Sequence, residues 1–269
     1  MRVALRRFRG ELRRLAHPTV AVATVGVALA SAMAQTSTSG ADLRPPSPID
    51  VTGSLRIAAQ HHASTFGFVL IATMAACTTA TDVRIGTVGT LRMADHDLVR
   101  TWRRRTGTAV AVALCSILVS TGLLWSTRSL TSCRTGCPPG SGSTMAATAA
   151  DLGATILVLV FAASFATALA VHLGSELATI VVAAATYAVP ANRIGASYAW
   201  VLPTKWIAQV MQFEPYGLGS DYTGGPASTA ARGRPAATAA LLLLCASAVC
   251  ARSAILGLRR RSAMGSPST

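Results

Sequence analysis

Apolar residues gather into long runs separated by short polar stretches, and six of these runs are long enough to be candidates for crossing a hydrocarbon core, which takes a helix of about 20 residues. They fall at roughly 18 to 34, 63 to 80, 107 to 126, 152 to 172, 177 to 190 and 237 to 257. The fifth is the shortest, and to span it must draw on Leu173 to Glu176 or run past Pro190. Ala, Gly, Ser and Thr recur through the runs, which suits close helix approach where lipid supplies no hydrophobic drive between helices. The pattern predicts an all-α polytopic membrane bundle of about six transmembrane helices.

The polar stretches carry the organisation. Residues 1 to 17 place Leu5, Phe8, Leu12 and Leu15 on one helical face with Arg6, Arg7, Arg9, Arg13 and Arg14 around it. That is the pattern of an interfacial amphipathic helix, apolar face in the acyl boundary and guanidiniums on anionic headgroups. A basic stretch, an apolar stretch and Ala32-Met33-Ala34 before Gln35 also match a secretory signal peptide, the competing reading of this end. Residues 81 to 106 form the sizeable charged loop between spans, 191 to 236 the largest outer segment, and 258 to 269 a polar tail. Within the outer segment, Tyr198 to Met211 is amphipathic and aromatic, while Gly217 to Pro235 reads as a flexible linker.

Composition strengthens the membrane reading. Only 13% of the 269 residues are charged, against about a quarter in soluble domains. The net charge of +14 has a topological cause. Segments 1 to 17, 81 to 106, 173 to 176 and 258 to 269 hold 15 of the 24 basic residues, although they are shorter in total than the intervening loops, which hold 8. By the positive-inside rule both termini are cytoplasmic. The same spread of arginines over topogenic loops excludes a nucleic-acid groove.

Catalytic patterns are missing from the sequence. A P-loop needs G-x-x-x-x-G-K-[ST], and the sole lysine, Lys205, follows no glycine-rich loop. His61-His62 lacks metal-ligand spacing and reads as an interfacial pair at the mouth of the second span. No G-x-S-x-G elbow is present. His172 and Glu176, spaced i, i+4, raise a proton-pathway reading, though both lie near enough to the boundary to reach water. No catalytic, cofactor or metal residue is assigned, and the chain is not expected to be an enzyme. Cys77, Cys115, Cys245 and Cys250 read as core thiols within spans, whereas Cys133 and Cys137 fall in an outer loop where a disulfide is possible.

The 81 to 106 loop mixes charges with apolar residues. Leu91, Met93, Leu98, Val99 and Trp102 are interleaved with Asp82, Arg84, Arg92, Asp95, Asp97, Arg100 and Arg103 to Arg105. Either a docking surface for a protein partner or a solvated loop that fixes orientation satisfies that composition. Its first residues, Asp82-Val83-Arg84-Ile85-Gly86-Thr87, can tether the loop by charge-assisted hydrogen bonds around a turn at Gly86, or simply end a helix in glycine.

That run resembles the Glu-x-Arg-x-Gly-Thr signature of ABC-2 type transporter permeases, with Asp82 where Glu is more usual. The order of amphipathic N-terminal helix, six spans and larger outer segment before the sixth is similar to that family over most of the chain. The resemblance implies a bacterial cytoplasmic membrane protein that pairs with a second permease subunit to form a substrate pathway. It also implies a separate P-loop ATPase subunit, which would bind the ATP, seated on the loop between the second and third spans. Asp82, Arg84, Gly86 and Thr87, with Trp102 and Arg103 at the far end of the loop, would then form the coupling element. The sequence does not name the cargo; a pathway lined by Ala, Val, Leu and Thr with almost no fixed charge would suit a hydrophobic or amphiphilic one. Two other classes stay open: a non-transporting anchor or assembly protein, and an ion-coupled secondary carrier, which usually needs ionisable groups or broken helices near the midplane.

Overall fold

The computed structural model of the chain describes residues 18, 20–27, 29, 51–63, 65–87, 98–135, 145–188, 203–211 and 234–264. Every element among them is helical: α1 Val51–Ala63, α2 Thr65–Ala75, a π-helical turn Ala76–Ala80, α3 Thr81–Ile85, α4 Leu98–Thr135, α5 Met145–Leu173, α6 Glu176–Ala188, α7 Pro203–Met211 and α8 Arg234–Met264. Residues 20 to 27 are helical as well, with Val20 and Val27 buried.

Four helical stretches are long and apolar enough to cross a membrane: Gly67–Ile85, Leu98–Ser126, Thr148–Leu173 and Ala236–Arg261. These are the second, third, fourth and sixth expected runs, and the chain is a multi-pass helical membrane protein. Among the described residues the fifth run does not reach that length, and the expected extension past Pro190 lies outside them. Its apolar part is Glu176–Thr186, about 16 Å of helix against a core of about 30 Å. The first run is described only in part. Residues 1 to 17, the linker from Gly217 to Gly233 and the tail from Gly265 lie outside the described residues.

The core is built on small side chains. Ala58, Ala59, Ala72, Ala162, Ala163, Ala166 and Ala170 are all buried, which lets helix axes come close enough for dispersion contacts to hold the bundle. Gly257 on α8 shows how close: a Cβ there would stand 2.6 Å from Val171 Cγ1 on α5. Phe68, Phe161 and Phe165 fill the wider gap between α2 and α5, with ring centroids 5.9 to 6.3 Å apart.

Two departures from the expected layout shape the site. Residues 51 to 63, expected in an outer loop, form α1 and pack against α4 and α5. The chain then breaks sharply before α2, so tightly that a Cβ on Gly67 would lie 1.8 Å from the His62 carbonyl oxygen. Glycine is required there by space. The basic residues 98 to 106, expected in a loop, are instead the first turns of α4, a 38-residue helix.

Cysteine placement also differs. Cys115 and Cys245 are exposed on the outside of the bundle and Cys77 and Cys250 half-buried, so none of the four is a fully enclosed core thiol. Cys133 belongs to the last turn of α4, and Cys137 lies outside the described residues. Of the amphipathic stretch Tyr198 to Met211, the described part Pro203–Met211 is helical, where proline suits the first helical position and Ile207 and Met211 are buried.

Candidate functional site

Residues 79 to 87 end the Gly67–Ile85 span in a self-closing cap. Gly86 takes φ +77°, the left-handed conformation that glycine adopts without penalty. Two backbone bonds close the turn, Thr87 N–H to Asp82 O at 3.0 Å and Gly86 N–H to Val83 O at 3.3 Å. This pairing satisfies the helix's last carbonyls and is a Schellman motif. The Thr87 hydroxyl lies 3.1 Å from Asp82 Oδ1 and 3.2 Å from Asp82 O, so it can donate to either and hold the carboxylate over the turn. Asp82, Gly86 and Thr87 are thus one local unit, and the helix-ending reading of the glycine is the one observed.

The charges of the motif reach different neighbours. Two positions on a helix differ by about 200° in direction, so Asp82 and Arg84 project to opposite sides of the helix. Asp82 Oδ2 accepts from Arg105 Nη2 on α4, in an ion pair whose side chains are only 6% exposed for Arg105 and 18% for Asp82. Arg105 Nη1 also donates to Thr79 Oγ1 at 3.2 Å. On the other side Arg84 Nη2 stands 3.0 Å from Glu176 Oε1 at the start of α6, and the Thr81 hydroxyl donates to the same oxygen at 3.0 Å.

These two bridges carry unequal weight. Removing one partner of a buried pair leaves an uncompensated charge and costs roughly 3–5 kcal/mol. The Arg84 side chain is 62% exposed and Glu176 37%, and exposed pairs contribute about 0–1 kcal/mol. Asp82 with Arg105 is the structural clamp, and Arg84 with Glu176 is a weak latch.

A π-helical turn sets up the clamp. Over Ala76–Ala80 the wider winding leaves the Ala76 carbonyl to the Thr81 backbone N–H, with the Thr81 hydroxyl a further contact at 3.4 Å. Such insertions rotate everything that follows them, and they recur at functional sites.

The turn between α5 and α6 meets the same cluster. Gly174 adopts φ +62°, and a Cβ there would touch Val83 Cγ1 at 3.2 Å. Arg261 of α8 donates to the His172 carbonyl at 3.0 Å, and the His172 ring sits 2.8 Å from Ser253 Oγ. Because the helix breaks at Gly174, His172 and Glu176 are not successive turns of one helix and serve different partners. Beneath the charges, Val83, Leu98, Val171, Ala254 and Leu258 form a separate apolar cluster, with Trp102 packed on it.

Of the other residues expected here, Trp102 turns inward, its indole N–H buried with no acceptor among the described residues. Arg103 is exposed. Thr79 was not singled out by sequence, Arg105 was named only as part of the charged loop, and Glu176 only as a partner of His172. A signal for Arg105 existed: Leu98, Thr101, Arg105 and Thr108, all buried, continue the inward face of the span back through the arginine triplet.

A second buried polar site involves His62, fully enclosed where it was expected at an interface. Its Nδ1–H donates to Ala58 O at 2.9 Å, which in the neutral ring leaves Nε2 to accept from Ser116 Oγ at 2.9 Å. Ser116 lies near the middle of the Leu98–Ser126 span. No group of three or more potential metal ligands occurs among the described residues.

The class that the fold and site define is a multi-pass helical membrane protein with an ion-paired cap at one end of a span. No family model, curated protein or solved structure matches the chain.

Proposed function

We propose that this chain is the membrane-spanning permease subunit of an ABC-2 type exporter in a bacterial cytoplasmic membrane. It forms the substrate pathway with a second permease subunit, and a separate P-loop ATPase seated on the 81 to 106 region supplies the energy. Both termini lie on the cytoplasmic side in this reading.

The observation that supports it is the cap. Ile85, 64% exposed, and the open space around Gly86 form a tip that nothing covers among the described residues, with 88 to 97 outside them. That tip is braced from within by Asp82 and Arg105 and from the side by Arg84 and Glu176. A push on a braced tip is passed to the Leu98–Ser126 span and to the α5–α6 turn as a displacement of packed helices, the kind of small shift that rigid interfaces convert into a switch. A tip held only by a loose loop would absorb the push.

The test is a mild-detergent pull-down of the tagged chain from its native membrane, comparing wild type with Gly86→Trp and with Ile85→Glu. The expected result is a P-loop ATPase recovered with wild type and lost with both variants. Wild-type recovery without any ATPase overturns the reading. The second substitution matters because tryptophan at φ +77° is strained, whereas Ile85 has ordinary helical geometry.

One observation favours an ion-coupled carrier instead. His62 is an ionisable group at a break between helices, level with the middle of a span, the arrangement that couples ions in many carriers. Uptake into proteoliposomes driven by a proton gradient without nucleotide, and abolished by His62→Gln, would select that reading.

A further inference from the structure

Arg252 lies inside the Ala236–Arg261 span, on the side of α8 that faces away from the bundle. It is exposed and has no hydrogen-bond or ion-pair partner among the described residues. A guanidinium bordering lipid is unfavourable unless something meets its charge, which is why charged residues in spans almost always face the bundle interior or pair. Among the described residues Arg252 does neither.

Its level and direction define what can meet it. The His172 ring lies 2.8 Å from Ser253 Oγ, so Arg252 is level with the last turn of the Thr148–Leu173 span, just before the polar turn Gly174-Ser175-Glu176. Headgroups are therefore within reach. Side chains on a helix lean toward its N-terminus, which aims Arg259 back along α8 toward Arg252. Seven residues apart, the two lie about 10 Å from one another along the axis and within about 20° of the same direction. Both are exposed, with exposed Leu256 between them. Two guanidiniums thus flank one patch of lipid-facing surface, and the exposed Val249 and Leu241 continue that side of α8 as hydrocarbon.

The chain offers this patch no spare acid. The carboxylates described at this end are Asp82 and Glu176, already held by Arg105 and Arg84. Even with Asp95 and Asp97 from the loop outside the described residues, arginines here outnumber acids. A second copy does not help, because pairing about an axis normal to the membrane would set Arg252 against its own counterpart. A phosphate fits: its oxygens accept from two guanidiniums at once, and charge-assisted bonds of that kind are the strong ones.

We infer that Arg252 and Arg259 hold the phosphate of an anionic phospholipid against α8, its acyl chains lying along Val249 and Leu241. A zwitterionic lipid brings a cation into the same basic patch and is the poorer fit. The inference needs only a membrane-spanning α8; neither an ATPase nor transport enters it.

The test is native mass spectrometry of the purified full chain, titrated in detergent with dioleoylphosphatidylglycerol or dioleoylphosphatidylcholine. Wild type is expected to bind the phosphatidylglycerol more tightly. Arg252→Gln and Arg259→Gln should each weaken that binding about fivefold, the value of one arginine at a lipid surface, and bring it toward that of phosphatidylcholine. Arg84→Gln removes the same charge beside α6 and should leave the preference intact. In native membranes, benzoylphenylalanine in place of Leu256 should crosslink to phospholipid. No preference for the anionic lipid, equal weakening by Arg84→Gln, binding undiminished in both α8 variants, or a protein adduct at position 256 overturns the inference.

Discussion

Asp82 and Arg105, separated by 23 positions, form a buried ion pair that joins the end of one membrane-spanning helix to the start of the next. In the exporter reading proposed above the stretch between them meets a partner, and the pair would then be the point at which a load on that stretch enters the bundle. Its burial makes it stiff, because each charge depends on the other in place of the water it has lost.

Removing either charge alone should therefore be costly. Asp82→Ala or Arg105→Ala is expected to lower stability by roughly 3–5 kcal/mol, read as loss of thermal stability in detergent. The double replacement Asp82→Leu with Arg105→Met should recover much of that loss, since it leaves no orphan charge. A loss in the double variant equal to the sum of the two single losses would mean the pair is not coupled.

The latch on the other side should behave oppositely. Arg84→Ala or Glu176→Ala is expected to cost less than about 1 kcal/mol, and that small effect should shrink further at high salt. A loss as large as that of Asp82→Ala would contradict the exposed geometry of the pair.

Glycine positions separate conformation from space. Gly86→Ala keeps open surroundings but forces a left-handed alanine, a cost of about 1–2 kcal/mol, and Gly86→Asn should cost less because asparagine tolerates that region. At Gly67 the added methyl group meets a carbonyl at 1.8 Å. Gly67→Ala should reduce the yield of folded protein far more than Gly86→Ala, as judged by gel-filtration monodispersity.

The buried histidine should be coupled to its serine. Ser116→Ala removes the hydroxyl that Nε2 meets and is expected to destabilise by about 1–3 kcal/mol. Adding His62→Phe to Ser116→Ala should cost less than His62→Phe in wild type, because the polar requirement has already gone. Independent effects in that cycle would argue against a direct bond.

Much of this was legible locally. A span is recognised by composition and length, since lipid solvates any sufficiently long apolar helix. Hence four of the six apolar runs appear as long spans close to their expected positions. The cap was legible for a similar reason: Gly86 and Thr87 bond within five residues of themselves, so their geometry needs nothing distant. The sequence alone also marked the segment in which the clamp lies, through its mixture of carboxylates and arginines.

Which charge meets which was decided by tertiary structure. The pairing of Asp82 with Arg105 and of Arg84 with Glu176 depends on the rotation introduced by the π-helical turn and on the neighbours that small side chains admit. His62 is buried because α1 ends before α2 and packs against α4, and Gly174 turns the chain beneath Val83 so that the fifth run starts a new helix at Glu176. Periodicity and composition describe what one segment prefers by itself. The direction of a side chain in the bundle is set by packing between segments far apart in sequence, which no single run encodes.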